Sequence, residues 1–375
     1  MNFLTKMAKK IASHILLSLF YAYTFCLLFI KNFKKTTLLQ LSSRSPGQCN
    51  RFAIFAVYCE KIGRNQKNII KKLAENNYYI IVLNNGKLSQ EELEKINADV
   101  YIERPEIGRD WGLYQYAAQW LYKNVNIPNE GQVLFMNDSI FYLEGLCPDL
   151  FERISRMQQD CIAIADIKTI SYHMASWLFV LSGKAFKHEK IQNFWNQYIP
   201  LDFKRHCVQQ GEVGFTSVVQ RAGYTPYIIY PSSHFINNIL DDGNIEKAWR
   251  VFPKDVLMPP ALSFSDDTKL PAKRLSQEHE KEKLSQFFYD LSETKQQMHL
   301  FNLNGICFGS FPFLKKDLRW LEIYSLDQIY YALDYVKNRV KKEDITEIRT
   351  YYTKRGSARE KLSLVQRILV TKGFL

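Results

Sequence analysis

The middle of the chain alternates between short apolar runs and longer stretches in which apolar residues recur at helical spacing. The apolar runs have the length of buried strands, and their few polar positions indicate that both faces are covered. The predicted strands span 52–58, 78–83, 100–102, 132–136, 161–165, 177–181 and 224–230. The predicted helices span 66–76, 109–123, 146–157 and much of 188–222. This alternation predicts an α/β fold with a mostly parallel sheet flanked by helices.

The pattern divides the chain into four parts. These are an apolar segment at 1–35, a linker at 36–50, the predicted sheet domain at 51–235 and a mainly helical region at 236–375. Within the last part, 263–283 is polar and is expected to form a loop followed by a charged helix. The end of the chain, 357–375, is a basic amphipathic stretch that would pack on the domain or lie on lipid.

Residues 11–30 form a run of twenty residues without a formal charge, with three lysines on each side. A helix of that length can cross a bilayer, although His14 and Thr24 dilute its hydrophobicity. A helix in the membrane interface and a helix packed against the domain are the alternatives. We expect membrane attachment, with the main domain on the cytoplasmic face of the inner membrane.

The basic residues are concentrated at the two ends of the chain. Residues 1–50 carry seven Lys or Arg and no Asp or Glu, 335–375 carry eleven basic and four acidic residues, and the chain between has a net charge of −2. A nucleic-acid-binding domain would carry its basic surface on the fold itself, so this distribution argues against a nucleic-acid partner. Basic ends suit an anionic membrane surface, although solvated tails would have the same composition.

The cysteines carry no recognisable metal or redox motif. None of the seven is spaced as a C-x-x-C pair. An odd, scattered set in a large domain is typical of a reducing compartment, and it favours a cytosolic position for the main domain.

Four polar clusters follow predicted elements near the carboxyl edge of the sheet, where ligands bind in open α/β folds. The first is Arg109 with Asp110 at the start of a helix, where backbone amides attract phosphate. The second is Asn137, Asp138 and Ser139, directly after a buried strand. Each also has a structural interpretation, because Asp110 can cap the helix and Asn-Asp-Ser can form a turn.

The other two clusters lie further along the same domain. Asp166 follows the fifth predicted strand and His173 precedes the sixth, where an acceptor or a metal could reach it. A hydrogen-bonded structural histidine is the commoner case. Glu212 opens a predicted helix whose dipole would keep it ionised for a role as general base, and an ordinary first-turn glutamate has the same pattern. The succession of four clusters in one domain is stronger than any cluster alone.

These clusters and their neighbours resemble the rhamnan synthesis protein F family, glycosyltransferase-like proteins of bacterial polysaccharide assembly. The matching segments are GRDWGLYQY at 108–116, VLFMNDSIF at 133–141, SYHMASWLFVLSGKAF at 171–186, NFWNQY at 193–198, GEVGFTSVVQRAGY at 211–224 and PFLKKDL at 312–318. They span roughly 105–320, most of the globular part. The amino-terminal apolar segment is outside the matching motifs.

The resemblance implies a GT-A-like fold, a nucleotide-sugar donor and usually a divalent cation, Mg²⁺ or Mn²⁺. It places Asp138 where such enzymes carry an Asp-x-Asp element, so Asp138 is the expected ligand of the metal and diphosphate. A single carboxylate leaves the metal dependence open, and Arg109 is the alternative cation. The resemblance implies that Glu212 deprotonates the acceptor hydroxyl. The expected donor-binding residues are Arg109, Asp110, Asn137, Ser139 and Asp166, and His173 is a candidate for acceptor or metal.

We therefore expect a membrane-associated glycosyltransferase of bacterial polysaccharide or lipopolysaccharide biosynthesis. Its donor would be a nucleotide sugar, with rhamnose as the family-level expectation, and its acceptor a lipid-linked glycan. The single carboxylate at Asp138 also suits a non-catalytic scaffold of polysaccharide assembly. A phosphoryl-transfer enzyme is a third alternative, against which the missing P-loop motif argues.

Overall fold

Seven of the eight strands of the main sheet lie in the segments that the apolar runs predict. The computed structural model describes residues 3–33, 35–241, 244–253, 256, 278–294 and 297–371. The strands are β1 Thr37–Gln40, β2 Arg51–Val57, β3 Tyr79–Asn84, β4 Val100–Glu103, β5 Gln132–Asn137, β6 Ile140–Tyr142, β7 Cys161–Ala163, β8 Asp166–Ile167, β9 His173–Met174, β10 Leu178–Ser182, β11 Tyr227–Ile228 and β12 Phe313–Lys315.

Helices flank the sheet and form most of the carboxyl-terminal region. The first nine are α1 Phe3–Asn32, α2 Arg64–Glu75, α3 Gln90–Leu93, α4 Arg109–Asn124, α5 Leu150–Arg156, α6 Gly183–Phe186, α7 Glu189–Gln197, α8 Lys204–His206 and α9 Gly214–Arg221. The others are α10 Ser232–Leu240, α11 Ile245–Trp249, α12 Glu278–Thr294, α13 Gln297–Leu300, α14 Asn302–Phe308, α15 Leu326–Tyr335, α16 Lys342–Arg355, α17 Ala358–Lys361 and α18 Leu364–Thr371. A π-helical segment, Cys207–Val213, joins α8 to α9.

The main sheet has eight strands in the order β1-β4-β3-β2-β5-β10-β7-β11. Strands β4, β3, β2 and β5 are parallel to one another, whereas β10 is antiparallel to both of its neighbours and β1 is antiparallel to β4. The predicted mixed α/β fold with a mostly parallel sheet is confirmed. The carboxyl ends of the parallel strands and the amino end of β10 lie on one edge, where the candidate site is found.

Both faces of the sheet are covered, which explains why the strands are almost wholly apolar. In β2, Ala53 and Phe55 join one hydrophobic cluster, and Phe52 and Ile54 join the other. This alternation is the two-residue period of a strand. Helix α4 packs on the second face, and its aromatic residue Trp111 lies 5.8 Å from the ring of Trp195 on α7.

The carboxyl-terminal region continues the core of the sheet domain. Phe301, Leu333 and Tyr352 belong to the same buried cluster as β2. Strand β12 pairs with β6 in antiparallel register, with Lys315 opposite Ile140. The boundary predicted at 235/236 falls inside α10, so the two predicted regions share one core. Of the predicted loop and charged helix at 263–283, residues 263–277 lie outside the described residues and the remainder belongs to α12.

The amino-terminal helix α1 packs against the domain along one side. Tyr21 contacts Phe203 edge to face, with ring centroids 5.1 Å apart. Its other side leaves apolar residues open to solvent, among them Leu19 at 63% exposure and Phe29 at 65%. Within the described part of the chain, the helices include none that is both long enough and apolar enough to cross a membrane.

Three elements differ from their predictions. The segment expected as a linker contains β1, which pairs with β4 at the sheet edge. The helix predicted at 146–157 is shorter, because a 3₁₀ turn at Glu144–Leu146 precedes α5. The strand predicted at 224–230 reduces to β11, since Pro226 and Pro231 have no backbone N–H to donate to a ladder.

Candidate functional site

The start of α4 is capped by a carboxylate of the protein itself. Gly108 precedes the helix with φ +69, and its amide donates to Asp202 Oδ1 at 2.6 Å, with the amide of Arg109 donating to the same oxygen at 3.3 Å. The other oxygen of Asp202 forms an ion pair with Lys31 of α1. The predicted phosphate site on these two amides is therefore occupied by Asp202, which acts as a helix cap.

Asp110 and Asn137 are brought together on the α4 side of the sheet. Asn137 Nδ2 donates to Asp110 Oδ2 at 2.7 Å, and Asn137 Oδ1 accepts from the amide of Ser139 at 3.0 Å. Burial raises the pKa of Asp110, and the nearby charge of Glu212 raises it further. Two predicted donor-binding residues thus form one hydrogen-bonded unit within electrostatic range of the predicted base.

Asp138 faces the opposite side of the same strand end. Its Oδ2 accepts from Gln66 Nε2 at 2.9 Å and lies 3.8 Å from Lys316 Nζ. Burial raises the pKa of Asp138, and the charge of Lys316 opposes that effect. Consecutive strand residues point to opposite faces. The Asn-Asp-Ser segment therefore divides its side chains between two environments.

The contacts of Asp138 do not fit those of a divalent-cation ligand. A hard cation takes oxygen ligands, usually with carboxylate charge, whereas Asp138 shares its position with an amide donor and an ammonium group. Within the described ranges, no three His, Cys, Asp or Glu side chains are grouped to hold a metal ion. We therefore derive no catalytic step through a metal at Asp138.

Glu212, Ser176 and His173 form the second hydrogen-bonded unit of the site. Ser176 Oγ donates to Glu212 Oε1 at 2.6 Å, and His173 Nε2 lies 3.3 Å from Glu212 Oε2 with its N–H poorly aligned for a hydrogen bond. His173 Nδ1 lies 2.7 Å from the carbonyl oxygen of Ser171, which can only accept, so Nδ1 carries a proton. Burial works against the protonated ring, yet the contact with Glu212 raises the pKa of His173 above its ordinary value.

Glu212 is held by a π-helix and not by the start of an α-helix. The segment Cys207–Val213 continues from α8 into α9, so the amide-rich helix start expected near Glu212 is absent from this described segment. Gly211 allows the close approach that orients the segment, because a Cβ atom there would lie 2.7 Å from the indole ring of Trp111. π-Helical turns are frequent at functional sites. Here the turn directs Glu212 toward Ser176 and His173.

Asp166 lies beside this second unit. It is 6% exposed and pairs with Met174 in the short β8–β9 ladder. Its charge contributes to the raised pKa of His173. The two residues of the predicted third cluster therefore lie on neighbouring strands, with His173 opposite Ile167 in the ladder.

Three cations lie near these units. Arg109 is among the predicted donor-binding residues, whereas Lys204 and Lys315 are not among the predicted site residues. Lys315 Nζ donates to Ser139 Oγ at 3.2 Å. Lys204 begins α8, and burial lowers its pKa, with the charges of Arg109 and Lys315 adding to that effect against Asp317. The segment PFLKKDL at 312–318 was a signal for Lys315, since a lysine pair after a short apolar run fits a strand end.

Asp317 completes this end of β12. Both of its oxygens lie 3.3 Å from His299 Nε2. Burial acts to raise the pKa of Asp317, but His299 and Lys315 hold it well below its usual range. Asp317 is thus an anion that is already paired within the protein.

Comparison with known proteins gives a partial match. No family model matches the chain. Residues over a 165-residue stretch are 27% identical to virulence protein VirA of Vibrio anguillarum, including the protein from strain ATCC 68554 / 775. That stretch covers 43% of this chain and 52% of each relative, so the chain spans about half the length of the curated relatives it matches.

Proposed function

We propose that this protein is a GT-A-like glycosyltransferase of bacterial surface polysaccharide or lipopolysaccharide biosynthesis. The donor would be a nucleotide sugar, with rhamnose as the sugar suggested by the resemblance to the rhamnan synthesis protein F family. The acceptor would be a hydroxyl group of a lipid-linked glycan. The proposal is supported by the placement of the polar units at the carboxyl edge of the sheet, where α/β folds bind nucleotides.

The observation that carries the proposal is the hydrogen-bonded unit around Glu212. Ser176 donates to Glu212 Oε1 and His173 Nε2 lies 3.3 Å from Oε2, while the carboxylate keeps 16% side-chain exposure through which a hydroxyl can reach it. The Asp110–Asn137 unit is within its electrostatic range. A carboxylate that is positioned by two partners and is still accessible suits a general base.

The proposed reaction is a direct displacement at the anomeric carbon. Glu212 takes the proton of the acceptor hydroxyl, and the acceptor oxygen forms the new bond to the anomeric carbon. The bond from that carbon to the diphosphate oxygen breaks, and its electron pair leaves with the nucleoside diphosphate. Proton transfer by a positioned side chain contributes typically 10²–10⁴-fold in rate.

We also propose that α1 attaches the protein to the cytoplasmic face of the inner membrane. The side of α1 away from Phe203 leaves Leu19, Tyr23 and Phe29 more than half exposed. The sequence places lysines before and after the apolar run, which suits an anionic lipid surface. This arrangement would bring a lipid-linked acceptor close to the sheet edge.

The direct test is sugar transfer by Glu212→Gln. With wild type and variant at equal concentration, we expect the variant to lose at least about 100-fold in kcat with little change in nucleotide affinity. A panel of UDP-, dTDP- and GDP-sugars with a lipid-linked oligosaccharide as acceptor identifies the donor.

The matched control is Glu189→Gln, an exposed residue in the first turn of α7. It removes one carboxylate elsewhere on the same domain and should keep full activity. Equal activity in Glu212→Gln and wild type would contradict the assignment of the base. Donor binding without any turnover in wild type would favour the scaffold alternative.

A further inference from the structure

We infer that Arg109, Lys204 and Lys315 form a metal-free binding site for the diphosphate group of the donor. This inference rests on the proposed function and names the part of the site that holds the leaving group. The three residues come from three separate segments, namely the start of α4, the start of α8 and the end of β12.

Lys315, the last residue of β12, and Lys316, directly after it, point in different directions. Lys316 lies 3.8 Å from Asp138 Oδ2 and over the ring of Phe141. Lys315 instead donates to Ser139 Oγ at 3.2 Å and lies 5.8 Å from the ring of Trp177. Alternation at this strand end thus sends Lys316 to a carboxylate and Lys315 to the hydroxyl group of Ser139.

These three cations are not matched by ion pairs of their own in the described structure. Among the residues that the structure describes, Arg109, Lys204 and Lys315 have no carboxylate at ion-pair distance, whereas Lys31, Lys316 and His299 each have one. Lys204 and Lys315 are half-buried, and the charge of Asp317, which acts on both, is shared with His299, so the three cations are only partly balanced within the protein. An incoming anion would supply the missing negative charge.

The three positive charges also act on one another. Burial lowers the pKa of Lys204 most, and the charges of Arg109 and Lys315 lower it further, although Asp317 and Glu212 oppose them. Hydrogen bonds also join the three segments: the amide of Arg109 donates to Asp202, two residues before Lys204, and Asp110 accepts from Asn137, whose Oδ1 accepts from the amide of Ser139, the partner of Lys315. Asp317 is already paired with His299. A dianionic phosphate chain matches such a group of cations better than a neutral sugar does.

The departure of the diphosphate also calls for positive charge. When the anomeric bond breaks, the diphosphate gains negative charge that a positioned cation must stabilise. Asp138 is engaged by Gln66 and Lys316 and does not fit a metal ligand. Three cations in place of a metal would stabilise the same charge. The anomeric bond breaks heterolytically, so its electron pair stays on the diphosphate oxygen.

The test is calorimetric binding of inorganic pyrophosphate, UDP, dTDP and GDP to the full chain in EDTA. We expect binding without added metal, and a loss of about tenfold or more in affinity for Lys204→Met and for Lys315→Met. Lys315→Arg should keep most of the affinity, because it keeps the charge. Lys187→Met, an exposed lysine after α6, is the control and should bind as wild type does.

Unchanged affinity in both methionine variants would overturn the inference, as would binding that requires Mg²⁺ or Mn²⁺ and disappears in Asp138→Asn. Thermal melts of each variant separate loss of binding from loss of folding. Sugar transfer that depends on Glu212 but not on the lysines would leave the proposed function standing and remove the diphosphate site. Lysine-dependent pyrophosphate binding in a protein without sugar transfer would support the diphosphate site and contradict the proposed function.

Discussion

Asn137 and Asp138 are adjacent but face opposite sides of the end of β5. In the described part of the chain, charged side chains form ion pairs on one of these sides and lack them on the other. On the Asp138 side, charges meet partners of the protein: Asp138 lies beside Lys316, Arg64 donates to Asp344 at 2.8 Å, and Lys72 lies 2.8 Å from Glu144. On the other side, which we call the open side, Arg109, Lys204 and Lys315 lack such partners among the described residues. Paired charges serve the fold, whereas unpaired ones leave room for a ligand's charge.

The largest effect is expected from a substitution on the Asp138 side, where charges form ion pairs. Replacement of Asp138 by Ala leaves Gln66 Nε2 and Lys316 without an acceptor, and both side chains of the ion pair are less than a quarter exposed. We expect a loss of about 2 kcal/mol in the free energy of unfolding, measured by urea titration. Pyrophosphate affinity in EDTA should stay within about threefold of wild type.

The control for this change is Asp334→Ala, which removes the exposed ion pair with Arg349. It should cost no more than a few tenths of a kcal/mol. If Asp138→Ala instead left stability intact and abolished nucleotide binding, the assignment of the two sides would be reversed.

A smaller effect is expected at Asp202, whose carboxylate caps α4 beside the open side. Asp202→Ala removes the acceptor for the amides of Gly108 and Arg109 together with the ion pair to Lys31. The loss of a helix cap predicts a destabilisation of about 1 kcal/mol in urea titration. Asp202→Asn keeps an oxygen acceptor and should lose less, and equal losses would show that the ion pair matters more than the cap.

The smallest effect is a pH dependence of stability at the His173–Glu212 contact. The pKa of His173 is raised in the folded protein, although burial opposes this, because Glu212 is beside it. The stabilisation is therefore fully present below the ordinary pKa of histidine and is lost as the pH rises through the raised value. Relative to His173→Gln, wild type should lose on the order of 1 kcal/mol or less between pH 6 and pH 9. Parallel stability curves for the two proteins would contradict this.

The main sheet was predictable because both of its faces are buried, which leaves strands such as β2 and β5 almost free of polar residues. The grouping of His173, Ser176 and Glu212 near one edge was also predictable from element order. The opposite directions of the Asn137 and Asp138 side chains follow from strand alternation. The sequence analysis treated the Asn-Asp-Ser tripeptide as one cluster and did not apply that rule. The π-helix around Glu212 had no local signal, since it depends on packing against Trp111.

The PFLKKDL segment is a signal for Lys315 alone, but the grouping of Lys315 with Lys204 could not be predicted from the sequence. Lys204 and Lys315 lie more than 100 residues apart, and in the sequence each resembles an ordinary surface lysine. They approach one another only because β12 pairs with β6, and that pairing requires the carboxyl-terminal helices to share the core of the sheet. Long-range pairing of short strands leaves no pattern in a single sequence.

The pairing of β12 with β6 also determines when the site can assemble during protein synthesis. Ile140 leaves the ribosome long before Lys315, its partner in the ladder. At elongation rates of about 5–20 residues per second, the delay between these two residues is on the order of 10 s or more. Once Glu212 has also emerged, the nascent chain has that residue and the sheet edge but still lacks Lys315 and its strand. An incomplete chain would therefore lack the proposed diphosphate site until nearly the whole chain has been made.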